Sequence, residues 1–267
     1  MSFIIDVGTN LVANIAFWIL LGVLFLAGGR TVERKMVRFF GLSRGRVIQI
    51  YLSNLAEPHP DGRPRFTLGF SEFQAVQSVN KLFGAAPLRL PELVRGLVDG
   101  IWLRRPVRYL VEVSPSTANA TQLSDSSIVV GSSTRNSVRR YSVDQQLVRA
   151  AMTRETGGSE PWYTAGEEMT VSVRLDGGNL QNVTARKNLL VIEKVRGSEQ
   201  GAANFYCLGA RGDSSWAAVE YLARTWKQLD AEFGTSDFVI VLGIPWDANY
   251  LTSYQEPARI AGIAFSD

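Results

Sequence analysis

Apolar segments with strand character alternate with helix-patterned segments along most of this chain, and that alternation restricts the fold more than any single motif. Arg46–Leu52, Val107–Val113, Ser127–Val130, Phe205–Leu208 and Phe238–Ile244 are rich in β-branched and aromatic residues. Between them, Phe73, Val76, Val79, Leu82 and Phe83 recur at helical spacing, and Leu90–Leu103 carries Pro91 in its first turn. Trp216, Val219, Leu222, Trp226, Leu229 and Phe233 mark one face of a long helix nearer the C-terminus. Strands that are apolar without alternation imply burial on both faces. The expected fold is a three-layer, Rossmann-like α/β domain with a mostly parallel sheet. Between about 144 and 200 the pattern changes: Met169–Leu175 alternates with period two, Leu189–Val195 reads as a further strand, and Gly157-Gly158 and Asp176-Gly177-Gly178 mark turns. This region reads as a small antiparallel insertion, and Ala258–Phe265 reads as an edge strand.

Residues Val7–Gly29 contain no charge. About 20 apolar residues at ~1.5 Å each match the ~30 Å hydrocarbon layer of a bilayer. The start, Met-Ser-Phe-Ile-Ile-Asp, lacks the basic residue of a signal peptide, whereas Arg30, Arg34, Lys35, Arg38, Arg44 and Arg46 follow the run. The expectation is a single-pass anchor over 1–29 contacting lipid through 7–29, with the C-terminal part cytoplasmic. Residues 30–45 then form a basic juxtamembrane segment, lying on anionic headgroups or continuing the anchor into solvent. The α/β domain occupies 46–267. Asn10 and Asn14 either meet interfacial water or bond to a neighbouring copy, so a homo-oligomer is open.

The net charge of +3 is partly accounted for by the collar, so no nucleic-acid surface is expected. One cysteine, Cys207, excludes an internal disulfide. With a single histidine, His59, it also excludes a Cys/His zinc cluster, and no metal site is expected. Cys207 falls inside a strand and reads as a small buried residue. A Ser-His-Asp triad would depend on His59, in the irregular Glu-Pro-His-Pro loop.

Four expected strands end in small polar turns, which a parallel sheet brings to one edge. The candidate ligand-binding residues are Ser53 and Asn54; Ser114 and Ser116; Gly131, Ser132, Ser133, Arg135 and Asn136; and Gly209, Arg211, Gly212, Asp213, Ser214 and Ser215. Small residues admit close backbone approach. Helix N-termini near Thr134 and Ser214 favour a phosphate or carboxylate, which Arg135 and Arg211 would reinforce. Gly209-x-x-Gly212 falls short of the dinucleotide and P-loop fingerprints. The serines, Asp213 and Asn136 are equally good helix caps. Glu72, Asp213 and Asn136 are the candidate catalytic groups, although Glu72 also suits the first turn of its helix.

A single span followed by a Rossmann-like domain with glycine- and serine-rich strand ends resembles membrane-associated sensors and effectors of bacterial nucleotide-signalling and antiviral systems. The resemblance implies a nucleotide-like ligand at the sheet edge and an output through association of copies. Two other readings stand beside it. One is a nucleoside- or nucleotide-processing hydrolase using Glu72 or Asp213 with Asn136. The other is a protein-binding scaffold, for which Trp162 and Trp246 are the loop tryptophans best placed as anchors.

Overall fold

The computed structural model describes residues 32, 34–42, 47–53, 57–58, 64–65, 69–84, 107–113, 117–132, 136–154, 168–198, 201–246 and 254–265. The strands are β1 (Val47–Leu52), β2 (Glu57–Pro58), β3 (Pro64–Arg65), β4 (Arg108–Val113), β5 (Ser127–Val130), β6 (Ala150–Arg154), β7 (Met169–Arg174), β8 (Leu180–Ala185), β9 (Asn188–Arg196), β10 (Ala203–Gly209), β11 (Asp237–Ile244) and β12 (Ala258–Phe265). The helices are α1 (Phe70–Gly84), α2 (Ser137–Asp144) and α3 (Gly212–Phe233).

Seven strands form the main sheet in the order β12-β11-β9-β10-β5-β1-β4. It is mixed, which corrects the mostly parallel, Rossmann-like expectation. β1 pairs parallel with β4 and β5, and β5 with β10. β9 is antiparallel to both β10 and β11, and β12 is antiparallel to β11. The reason is connection length. Only residues 197–202 join β9 to β10, a link that permits a hairpin but not a parallel crossover. β9 therefore wedges between β10 and β11, strands that α3 connects in the same direction. Of the strands expected between 144 and 200, Met169–Leu175 is β7 of a small antiparallel sheet, β6-β7-β8, whereas Leu189–Val195 is β9 of the main sheet.

Strand periodicity divides the core in two. Ile50, Ile128, Ile192, Phe205 and Ile240 face α1 and α3. Their neighbours Tyr51, Val129, Val191, Tyr206 and Val239 face α2 and the small sheet. On the α3 side, Phe39 and Phe40 are fully buried against Phe205, with ring centroids 5.3 and 5.1 Å away. Arg38 anchors the same segment, donating to the carboxylate of Asp230 on α3 at 2.8 Å. Phe39, Phe40 and Leu42 thus belong to the core of the domain and Met36 and Val37 pack against it, while Arg34, Lys35 and Arg38 are exposed.

No helix among the described residues is long and apolar enough to cross a membrane. This corrects the expectation of a single-pass membrane protein with a cytoplasmic domain; residues 7–29, on which it rested, lie outside the described residues. The helix expected over 90–103 also lies outside them.

Two adjacent charged residues on β9 are buried on opposite faces. Glu193 is fully buried and accepts from Arg139 Nη1 on α2 at 3.4 Å and from the backbone N–H of Ala150 at 3.3 Å. Burial pushes its carboxyl above the usual range, opposed by Arg139 and by the amides of Arg149 and Ala150. Lys194 donates to the Gly234 carbonyl at the end of α3 at 2.9 Å and sits 4.9 Å from the centroid of the Phe39 ring. Burial lowers its ammonium pKa to about 8, against the pull of Asp237 and Asp230.

Glu193→Ala leaves Arg139 buried without its carboxylate and should destabilise by about 3–5 kcal/mol. The double variant Glu193→Leu/Arg139→Met should recover part of this, as read from urea midpoints. Lys194 has its own pH signature. Between about 8 and its ordinary 10.5 the folded chain binds fewer protons at this site than the unfolded chain. Stability of the wild type relative to Lys194→Met should therefore rise with pH across that window, by up to about 3 kcal/mol. Urea unfolding of both proteins at pH 7, 8, 9 and 10 measures this, and a flat difference contradicts it.

Candidate functional site

β1, β4, β5, β10 and β11 run in one direction, so their C-terminal ends share an edge. β5 and β10 are parallel neighbours that lead to opposite faces, the first to α2 and the second to α3. Such a divergence opens a crevice between the two strand ends. By this rule the candidate site falls between Gly131-Ser132 on one side and Gly209-Ala210-Arg211 on the other.

Both glycines are required by close approach. Gly131 has φ +100°, and a Cβ there would fall 1.9 Å from Ser53 Oγ. Its N–H donates to the Cys207 carbonyl at 3.0 Å, which ties β5 to β10 at the mouth of the crevice. A Cβ on Gly209 would fall 2.5 Å from the backbone of Ser214 and Ser215, so the first turn of α3 packs directly on the end of β10.

Several residues expected to contact a ligand are held by the protein itself. Ser53 Oγ donates to the Val130 carbonyl at 3.1 Å. Asn136 is fully buried; its Oδ1 accepts from the N–H groups of Val138 and Arg139, capping α2. Its Nδ2 donates to the carbonyls of Tyr51 and Val130 at 3.1 and 3.0 Å. Both amide hydrogens and both acceptor directions are thereby filled. Ser214 Oγ accepts from Arg211 N–H and donates to Arg211 C=O, each at 2.9 Å, and Ser215 Oγ donates to the same carbonyl at 3.3 Å. Asp213 Oδ1 accepts from Ser214 N–H at 2.9 Å, and its Oδ2 lies 3.3 Å from Arg211 Nη2. The carboxylate already complements the positive end of α3.

Arg211, paired with Asp213, has a side chain that is 45 % exposed, and Ser132 is an exposed residue at the same edge. Glu72 is buried in the first turn of α1, where it accepts from Ser71 Oγ at 3.3 Å. Asn54, Ser114, Ser116, Ser133, Arg135, His59 and Trp162 lie outside the described residues. Cys207 is buried on β10, and burial raises its thiol pKa well above the ordinary range.

Two buried polar atoms near the same edge have no hydrogen-bond partner: Asn188 Oδ1 at the start of β9 and Trp246 Nε1 just past β11. Asn188 pairs with Ile244, two residues before Trp246, so both lie at this end of the sheet, with Trp246 packed on the α2 side. Sequence reading passed over Asn188. Its one signal is a lone amide opening the otherwise apolar run Leu189–Ile192.

No protein-family model matches the chain, and no curated protein is significantly similar to it.

Asn136→Ala should remove the α2 cap and leave the Tyr51 carbonyl without its amide donor, destabilising the domain by about 2–3 kcal/mol. Denaturant unfolding with an unchanged m value checks this.

Proposed function

We propose that this domain binds a small phosphate-bearing, nucleotide-like ligand between the C-terminal ends of β5 and β10. The carrying observation is the divergence of two parallel neighbours, β5 toward α2 and β10 toward α3, with a glycine at each strand end. Glycines let backbone N–H groups approach a ligand closely, and α3 begins on the crevice with its positive end toward it. Arg211 supplies an exposed cation. The unpartnered amide oxygen of Asn188 and indole N–H of Trp246 are further hydrogen-bonding groups on this edge.

Binding is favoured over hydrolysis because Asn136 has no hydrogen-bonding capacity left for a substrate. Asp213 is committed to Ser214 and Arg211. An anion must draw Arg211 away from Asp213, so the acid sets the affinity.

Calorimetric titration of the full chain with inorganic phosphate, AMP and ATP tests this reading. At least one nucleotide should bind. Arg211→Ala should weaken it about 10- to 100-fold, the worth of a charge-assisted hydrogen bond. Asp213→Asn should tighten it, by freeing Arg211 and removing a like charge. Absence of binding by all three probes, or an Arg211→Ala protein that binds like the wild type, refutes the reading.

A further inference from the structure

The two ends of the main sheet are built differently. The register of β12 with β11 shifts between Val241 and Leu242. Such an irregularity twists an edge away from a new partner. β4, at the opposite end, pairs with β1 in unbroken register from Val47–Arg108 to Leu52–Val113. It contains neither proline nor glycine, and its outer side has no strand partner among the described residues. Leu110 is 52 % exposed and Val111 41 % exposed, on opposite faces of the strand. An apolar edge in unbroken register, with no strand partner among the described residues, is a template for another strand.

The apolar surface extends onto α1. Tyr109 of β4 donates its hydroxyl to Asn80 Oδ1 of α1 at 2.8 Å. Phe73 lies two helical turns before Asn80, on the same side of α1, and is 52 % exposed. Phe73 and Val111 therefore flank the open edge on the α1 face, and Leu110 flanks it on the other.

We propose that β4 pairs antiparallel with β4 of a second copy of this chain about a two-fold axis at Leu110, joining two sheets into one. The order Arg108-Tyr109-Leu110-Val111-Glu112 is self-complementary in that register. Position 108 stands across from position 112, a base opposite an acid, at both ends. Tyr109 stands across from Val111, and Leu110 across from itself. Each of these is a favourable cross-strand pair. In-register parallel pairing would set like charges side by side. Moving the axis to Val111 would set Leu110 against Glu112. Charge thus selects both the direction and the register, and the interface is isologous as a two-fold requires.

A Leu110→Cys substitution in the full chain tests this. Across the axis the two copies of position 110 have Cα atoms about 4.5–5.5 Å apart, within disulfide range. The native thiol of Cys207 is fully buried and does not compete. Under mild oxidation Leu110→Cys should run as a covalent dimer on a non-reducing gel. Val111→Cys, which faces Tyr109, should cross-link about tenfold less. In the Leu110→Cys background, Glu112→Arg should lower the yield, and adding Arg108→Glu should restore it. A Leu110→Cys chain that stays monomeric, or that cross-links no better than Val111→Cys, overturns the proposal. Failure of Arg108→Glu to rescue Glu112→Arg overturns it as well.

Discussion

The placement of Glu193 and Lys194 side by side on β9 governs how the layers of this protein assemble. Consecutive strand residues point to opposite faces, and here both faces are buried. Each charge must therefore find its partners inside the core. Glu193 takes Arg139 of α2 and the first amide of β6; Lys194 takes the last carbonyl region of α3 and the face of Phe39. One dipeptide thus fastens the covering layer on each side. A buried pair of this kind adds little net stability over apolar packing, but breaking it is severe. Through it Arg139 of α2 and Ala150 of the small sheet meet at one carboxylate.

The same strand explains the topology. β9 arrives from the β6-β7-β8 sheet and returns at once into β10, so it must lie antiparallel. It separates β10 from β11 and divides the sheet into a parallel half, β10-β5-β1-β4, and an antiparallel half, β12-β11-β9. The crevice at the ends of β5 and β10 belongs to the parallel half, beside the boundary. The polar side chains there mostly hold the architecture: Asn136 stitches β1, β5 and α2 together, and Ser214 and Asp213 finish the start of α3. The exposed guanidinium of Arg211 and the glycines at the two strand ends lie beside them.

Much of the fold was legible along the chain because local pattern reports burial. The runs 47–52, 127–130 and 237–244 are strands within a residue or so of expectation, and Trp216 and Trp226 lie on the buried face of α3 as their spacing implied. The candidate site was legible as a set of strand ends and helix starts. Which of its residues the fold itself engages was not, since a serine or asparagine that caps a helix looks the same in sequence as one that meets a ligand. Asn188 shows the converse: its amide oxygen becomes notable only because burial leaves it without a partner.

Strand and helix identity, the two-sided burial of the sheet and the gathering of small residues at strand ends follow from the amino-acid order, because hydrophobic period and turn chemistry act over a few residues. Strand direction, the docking of Phe39 and Phe40 in the core, and the pairing of Glu193 with Arg139 were decided only by the tertiary structure. These depend on contacts between residues distant in the chain: Phe39 meets Phe205, and Glu193 meets Arg139. No local pattern of charge or hydropathy specifies such a partner; the packed layers do.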